Sequence, residues 1–427
     1  MRILYVSHYF PPEMGAPAGR VAGLSRQWVR AGHHVDVLTG FPHHPTGIVP
    51  PEYRRAFRRG FLREDFHGVA VHRCWIFPAA NRGKLLRSLN YASFLVSAAL
   101  HGSLRLSRPD VVVATSPQLL CAAAGAILAR RFRAPLVMEV RDLWPESLVA
   151  VRASSHRSPL VFTLETLARR LYRSADHLVT VTDAQRRAII SGGIPESCVT
   201  VVPNGVDAEF LEAGELSPAS PGAFFTATYI GTLGMAHHLE TLLEAAALLR
   251  GDSQFRFRLV GEGARRSALE ARARELRLSN VQFTGERPRG EVPGWISSSH
   301  ACLVLLRKSE VFRTVVPSKM MEVMAVGRPI VLGVEGEARE LLDLAGAGVA
   351  IPPEDPAALA AALRALRDDP AHCRALGENG RRFVRKEFQR SVLAARYLEL
   401  FNTLVAVPGE DRFPLPCPES DPLSEPR

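Results

Sequence analysis

A chain of 427 residues that is 47% hydrophobic and 22% charged has a globular composition and the length to bury two ordinary cores. Its six cysteines (Cys74, Cys121, Cys198, Cys302, Cys373, Cys417) form no close pair, which argues against a disulfide framework or a zinc site and fits a reducing cytoplasm. No apolar run reaches the roughly 18 residues of a spanning helix, and the net charge of +10 calls for an anionic partner.

Met1–Val6 reads as the start of a strand, not as the apolar core of a signal peptide. Strands are expected at Arg2–Ser7, Val35–Thr39, Val69–Trp75, Asp110–Ala114, Leu136–Val140, His177–Val181 and Val199–Val202. Helical patterns lie between most of them, as in Gly19–Ala31 and Pro117–Arg131. The second half repeats the style, with strands at Ala227–Gly231, Phe257–Val260, Val281–Phe283, Ala301–Leu305, Ile330–Leu332 and Gly348–Ile351. Its helices include Leu239–Arg250, Arg265–Arg277 and Pro356–Leu366. β-Branched runs alternating with helices imply parallel sheets buried on both faces, so the expected class is α/β with two Rossmann-like domains. The turn Pro203-Asn204-Gly205-Val206-Asp207 marks the boundary, giving domains at 1–207 and 208–385. Glu212–Gly222, rich in Pro, Ser and Gly, reads as linker. A helix, Phe388–Leu404, falls within a closing segment 386–406, and the Pro- and charge-rich tail 407–427 reads as disordered.

Positive charge concentrates in residues 51–110, which hold eleven Arg and Lys against four Asp and Glu. Arg54, Arg55, Arg58, Arg59 and Arg63 are interleaved with Tyr53, Phe57, Phe61 and Phe66, and Arg82, Lys84 and Arg87 precede the apolar run Leu89–Leu100. Basic residues and exposed aromatics beside an apolar helix suit an anionic membrane surface. No nucleic-acid-binding motif accompanies them, so nucleic acid is not the expected partner.

The most informative segment is Val315–Ile330. Pro317 suits the first turn of a helix, Gly327 its end, and Pro329 stops it from continuing. Ser318, Lys319 and Glu322 share one face. The opening turn offers N–H groups, a hydroxyl and an ammonium to an anion, and a carboxylate waits one turn deeper for hydroxyl groups. Diphosphate followed by ribose fits that order, although a buried helix with one solvated face would show the same pattern. Gly15 after the first strand, Gly231 with Gly234 after the first strand of the second half, and Gly261 with Gly263 after the next all fall where α/β sheets bind ligands. None has the Gly-x-Gly-x-x-Gly spacing of a dinucleotide site, which counts against an oxidoreductase. Arg141-Asp142-Leu143-Trp144-Pro145-Glu146 follows a buried strand, and Asp142, backed by Glu139 and Glu146, is the candidate to take or orient a hydroxyl proton. Arg141 could hold a phosphate or keep Asp142 ionised. The pairs His33-His34, His43-His44 and His237-His238 lack the spacing of metal ligands, and no metal site is expected.

With Tyr9-Phe10-Pro11-Pro12-Glu13-Met14-Gly15-Ala16-Pro17, Leu38–Pro42, Arg141–Glu146, Pro203–Asp207, Gly261-Glu262-Gly263 and Pro317–Glu322 in place, the chain resembles the family 4 glycosyltransferases, the glycosyl transferases group 1 set, over residues 1 to about 405. Within them it is similar to the bacterial branch of L-fucosamine transferases of O-antigen synthesis. The resemblance implies a GT-B fold, with two Rossmann-like domains facing across a cleft and the last helix crossing back to the first. It implies transfer, with retention, of an N-acetylated hexosamine type of sugar from a nucleotide-diphosphate donor to a lipid-linked saccharide. No metal or other cofactor is implied, and the enzyme is expected to be cytoplasmic and peripheral on the inner face of the plasma membrane. Carried over by position, Glu322 would bind ribose. Ser318 and Lys319 would meet the diphosphate, with Gly15 and Ala16 closing over it. Gly231, Gly263, Arg265, Gly336 and Glu337 would complete the donor site. Arg20, Glu139, Arg141 and Asp142 would face the acceptor, and Asp142, Lys319 and Glu322 would carry catalysis. Thr314, Thr232, His237-His238 and Arg141 stand where the broader family has Glu, Arg, Lys-Gly and His, so phosphate charge would fall to Lys319, Arg265, His237 or helix ends. The alternatives are a nucleotide-sugar 2-epimerase and a non-catalytic subunit that recruits partners to membrane.

Overall fold

The computed structural model describes every residue except 14, 81–83, 117, 144–158, 217–223 and 407–427. Two sheets carry the described residues, parallel throughout except for one antiparallel edge strand in the first. The first contains β1 (Arg2–Val6), β2 (His34–Gly40), β3 (Phe61–Phe66), β4 (Val69–Cys74), β5 (Val111–Thr115), β6 (Leu136–Val140), β7 (His177–Thr180) and β8 (Val199–Val201) in the order β3-β4-β2-β1-β5-β6-β7-β8. The second contains β9 (Phe225–Ile230), β10 (Phe255–Val260), β11 (Val281–Gly285), β12 (Ala301–Leu305), β13 (Ile330–Gly333) and β14 (Gly348–Ala350) in the order β11-β10-β9-β12-β13-β14. Every residue of β5, β6 and β12 is buried, as strands covered on both faces require. In each sheet the first strand in sequence has neighbours from opposite directions of winding, β2 and β5 around β1, β10 and β12 around β9. The carboxyl ends of β1 and β9 are therefore topological switch points, where such sheets bind ligands.

The chain separates into two compact units, one holding residues up to Pro203 together with those from Leu393 onward, the other Asn204–Val392. The break thus precedes the expected boundary, and Val206 and Asp207 belong to the second unit. Val206 bridges Gln389, its N–H donates to the Phe388 carbonyl, and Arg390 holds Asp207 through an Nε–Oδ1 contact of 2.7 Å. The final helix, Arg390–Ala406, sets Leu393, Ala394, Tyr397 and Phe401 into the core formed by β1, β2, β5 and the helix Ala16–Arg30. Trp28 Nε1 donates to the Ala394 carbonyl at 3.1 Å.

Two expectations are corrected. The proposed linker begins as helix, Ala208–Leu216, with Phe210 and Leu211 buried. Gly214, which looked like a linker signal, sits where a Cβ would come within 2.9 Å of the Val326 carbonyl, so its hydrogen lets two helices approach. The rest of that segment, the proposed tail, and Trp144 and Glu146 lie outside the described residues. The basic stretch is not a row of exposed aromatics. Phe61–Phe66 is an antiparallel edge strand on β4, Phe57 packs on Phe41 and Trp75, and Phe66 packs on Phe10. The guanidinium groups of Arg54, Arg55, Arg58, Arg59 and Arg63 belong to exposed residues, whereas the rings between them are half-buried.

The apolar run lies in the helix Lys84–Arg105. Phe94 and Ala98 are buried on one side, while Leu85, Leu89, Val96, Leu100 and Leu104 are exposed on the other, Leu85 by 73% and Leu104 by 75%. None of the described helices is long and apolar enough to cross a membrane.

Candidate active site

The site grows from the switch point of the second sheet. The chain leaves β9 through Gly231 and leaves β10 through Gly261, and Gly231 N–H donates to the Val260 carbonyl at 2.9 Å. The two following loops are tied together: Leu233 N–H donates to Glu262 and Arg265 N–H returns to Leu233. Gly231 has φ +138°, and a Cβ there would lie 2.7 Å from Lys319 Nζ, so glycine makes room for the ammonium. Gly263 packs against the Leu233 carbonyl.

Lys319 opens the helix Lys319–Val326, with Ser318 in helical backbone conformation at its cap position. The Pro317 carbonyl accepts from Met320 N–H, so the turn itself starts at Pro317. Met320, Met321, Val323 and Met324 are buried and fix the helix against its own sheet, leaving the Lys319–Glu322 face toward the loops. The Lys319 ammonium lies 4.1 Å from the centre of the Tyr229 ring. It is buried and has no hydrogen-bond partner among the described residues. Burial pushes its pKa down from 10.5 to about 8, and the nearby Glu322 counteracts only part of that. Buried ammonium groups ordinarily have partners, so this one is set for an incoming anion.

One turn on, Glu322 Oε1 accepts from Arg289 Nη2 at 2.8 Å. Arg289 lies 5.2 Å from the Phe210 ring centre and 3.9 Å from Asp207 Oδ2. Sequence reading missed Arg289: it stands in the loop after β11, and only the folded chain brings that loop beside Glu322. Arg265, expected to add charge for a phosphate, is paired with Glu240 and partly exposed. His237 donates from Nδ1 to the Leu305 carbonyl at 3.3 Å, and burial, then repulsion from Lys319, lower its pKa to about 4. It is therefore neutral near pH 7, which leaves Lys319 and the backbone as the positive end of the site. Gly336 packs against the Arg313 backbone and Glu337 begins the helix Glu337–Ala345.

In the first unit, Gly15 is exposed and precedes the helix Ala16–Arg30. Arg20 and Glu139 do not face an acceptor, which corrects that expectation. Arg20 is 2% exposed and Glu139 0%. Arg20 Nε donates to Glu139 Oε2 at 3.0 Å, and its other nitrogens donate to the carbonyls of Val202 and Pro203. Tyr5 and Tyr397 hydroxyls donate to the same carboxylate oxygen at 3.0 and 2.5 Å, and Thr115 donates to Oε1. Burial alone would raise the Glu139 pKa, but Arg20 and Arg141, helped by the Tyr397 hydrogen bond, hold it below the usual carboxylate range. This network fastens the last helix to the first sheet. Asp142 stands just beyond β6, where burial raises its pKa and the Arg141 guanidinium pulls it part of the way back. A carboxylate so placed is a stronger proton acceptor than a solvated one. The Arg141 carbonyl accepts from Gln185 Nε2 at 2.9 Å, which fixes the root of that loop.

The described residues contain no cluster of three or more His, Cys, Asp or Glu side chains placed to hold a metal ion. Both nitrogens of His43 are engaged, Nδ1 with the Phe41 carbonyl and Nε2 with Asn90.

Two family models match the chain: "Glycosyl transferase 4-like domain" over residues 15–205 and "Glycosyl transferases group 1" over residues 217–383. The Escherichia coli K12 protein WcaI, provisionally named a colanic acid biosynthesis glycosyl transferase, is 27% identical over 402 residues, covering 91% of this chain and 97% of its own. Among solved structures, sucrose-phosphate synthase from Thermosynechococcus elongatus superposes with a TM-score of 0.72 at 21% identity, covering 95% of this chain and 99% of its own. The Anabaena protein Alr3699/HepE in complex with UDP gives 0.65 at 17% identity, covering 95% of this chain and 100% of its own. The two solved structures share the fold of this chain.

Proposed function

Since the chain belongs to the group 1 family 4 glycosyltransferases and has the GT-B fold, we propose that it takes a nucleotide-diphosphate sugar at the carboxyl end of β9 and transfers the sugar in the synthesis of a cell-surface polysaccharide. The observation that carries the donor site is the buried Lys319 ammonium, without a hydrogen-bond partner among the described residues, beneath the Gly231 loop, with the Glu322 carboxylate one helical turn away. Lys319 meets the charge that grows on the departing diphosphate, which is the main service a protein renders to this reaction. Glu322 accepts from the ribose hydroxyls. Asp142 accepts the hydrogen bond of the acceptor hydroxyl. The name of WcaI supports polysaccharide synthesis, and the sequence resemblance alone favours a lipid-linked saccharide acceptor, a sugar of the N-acetylated hexosamine type and retention at the anomeric carbon. No residue role in this scheme calls for a metal, and turnover is expected to persist in excess chelator.

Replacing Glu322 with alanine should weaken nucleoside-diphosphate binding by about 1–3 kcal/mol, the worth of lost hydrogen bonds to a charged group. Titration calorimetry measures this directly, and unchanged affinity would remove Glu322 from the site. Proton NMR of the product's anomeric coupling, after incubation of donor with a lipid-diphosphate saccharide, reads the stereochemistry. Interconversion of the donor without acceptor would instead identify an epimerase.

The enzyme works against an anionic bilayer through the helix Lys84–Arg105. Its exposed leucines and valine form one apolar face, and charge tells what covers that face. Arg105 of this helix lies over the Phe61 ring, and His101 stacks on it, so the exposed arginines of Arg54–Arg59 stand near one end of the apolar stripe. An apolar stripe bordered by guanidinium groups suits the headgroup boundary. Replacing both Val96 and Leu100 with aspartate should cut retention on vesicles containing phosphatidylglycerol by about tenfold or more while leaving nucleotide affinity unchanged. Flotation assays check it, and equal flotation of the variant would withdraw the membrane assignment.

A further inference from the structure

We infer that Arg289 is a positioning residue that gives the donor site its preference for ribose over 2′-deoxyribose, acting through the Glu322 carboxylate; the inference rests on the donor reading above. A glutamate on a helix surface has several rotamers and, alone, would turn to solvent when it has nothing to accept. Here Oε1 is taken by Arg289 Nη2 at 2.8 Å, and the Glu322 side chain is 18% exposed. The carboxylate is thereby held with its other oxygen left for a sugar hydroxyl.

What distinguishes this pair from an ordinary surface ion pair is that the guanidinium is itself held. Its carbon sits 5.2 Å from the centre of the Phe210 ring, a buried side chain. Its Nη2 lies 3.9 Å from Asp207 Oδ2, and Asp207 is gripped by the Arg390 guanidinium at 2.7 and 3.4 Å. Glu322, Arg289, Asp207 and Arg390 thus alternate in charge, and the last of them is 5% exposed. A planar guanidinium fixed from below by a ring and from behind by a carboxylate can pin a second carboxylate in one orientation; an ammonium on a flexible stem does so less well.

A rigid acceptor discriminates strongly, because a ligand lacking the hydroxyl leaves a desolvated carboxylate oxygen unsatisfied. A carboxylate free to swing away does not.

The test is calorimetric titration of UDP, GDP and their 2′-deoxy counterparts into the full chain, wild type and the variants Arg289→Gln, Arg289→Lys and Glu322→Gln. Wild type is expected to prefer the ribonucleotide of its best base by about 30-fold or more. Arg289→Gln should bring that ratio below about fivefold, chiefly by weakening the ribonucleotide, and Arg289→Lys should restore part of it. Combining Arg289→Gln with Glu322→Gln should lower the ratio no further than either change alone. An Arg289→Gln protein that binds both sugars more weakly by the same factor, or a wild type that does not discriminate, overturns the inference while leaving the donor site in place. Failure of every ribonucleotide to bind wild type would instead overturn the donor reading itself.

Discussion

Replacing Lys319 with methionine is expected to stabilise the ligand-free protein and at the same time to remove most of its turnover. The ammonium is buried over Tyr229 with no partner among the described residues, and its pKa stands at about 8 instead of 10.5. That difference corresponds to roughly 3 kcal/mol of unfavourable burial at neutral pH. Methionine would fill the same volume and place a polarizable sulfur near the ring. Thermal melting should therefore move upward. Turnover should fall by about 100- to 1000-fold, the usual loss when a group that meets developing charge is removed. The sign of the pH dependence follows from the same lowered pKa. Below about pH 8 the folded state carries the full cost of the buried charge, and stability is regained between about 8 and 10.5, where the folded chain has lost the proton and the unfolded chain still holds it. Donor affinity should run the other way, declining above about pH 8 as the ammonium is lost. A variant that melts lower than wild type, or that turns over donor at an undiminished rate, would contradict the placement of this charge.

Replacing Arg20 with methionine should damage stability more than any change at the donor site. Glu139, 0% exposed, would lose the guanidinium that balances it, and a buried charge stripped of its partner costs about 3–5 kcal/mol. Chemical denaturation should register a shift of that size. Replacing Arg20 and Glu139 together with methionine removes both charges and should recover part of the loss. Recovery would stay incomplete, because the Tyr5 and Tyr397 hydroxyls would then lack their acceptor. A double variant less stable than the single one would show that Glu139 serves the tyrosines more than the arginine.

The parallel strands were legible because a strand covered on both faces reads as a near-continuous apolar run, as Val111–Ala114 and Ala301–Leu305 do. The edge strand Phe61–Phe66 escaped notice because three of its six residues are charged, which suits one exposed edge and also suits a loop. The spacing of Lys319 and Glu322 foretold a shared face, since helical period alone decides it. Burial of the Lys319 ammonium could not be foretold, nor could that of Arg20 and Glu139. A charged residue carries no local sign of whether its partner is water or a group more than a hundred positions away. Arg289 was hidden for the same reason, because its link to Glu322 depends on the order of strands and on no pattern within either segment.

The place of Leu393, Ala394, Tyr397 and Phe401 in the first core has a consequence for biosynthesis. A ribosome adding about 5–20 residues per second would need roughly 10–40 s to pass from Pro203 to the end of the final helix. Throughout that interval the nascent first half exposes the apolar bed around Trp28 that those four side chains will fill, and Glu139 waits for one of its hydroxyl donors. Maturation of the amino-terminal half is thus delayed until the helix Arg390–Ala406 has been made, and the emerging polypeptide offers a sticky surface to chaperones for as long as that takes.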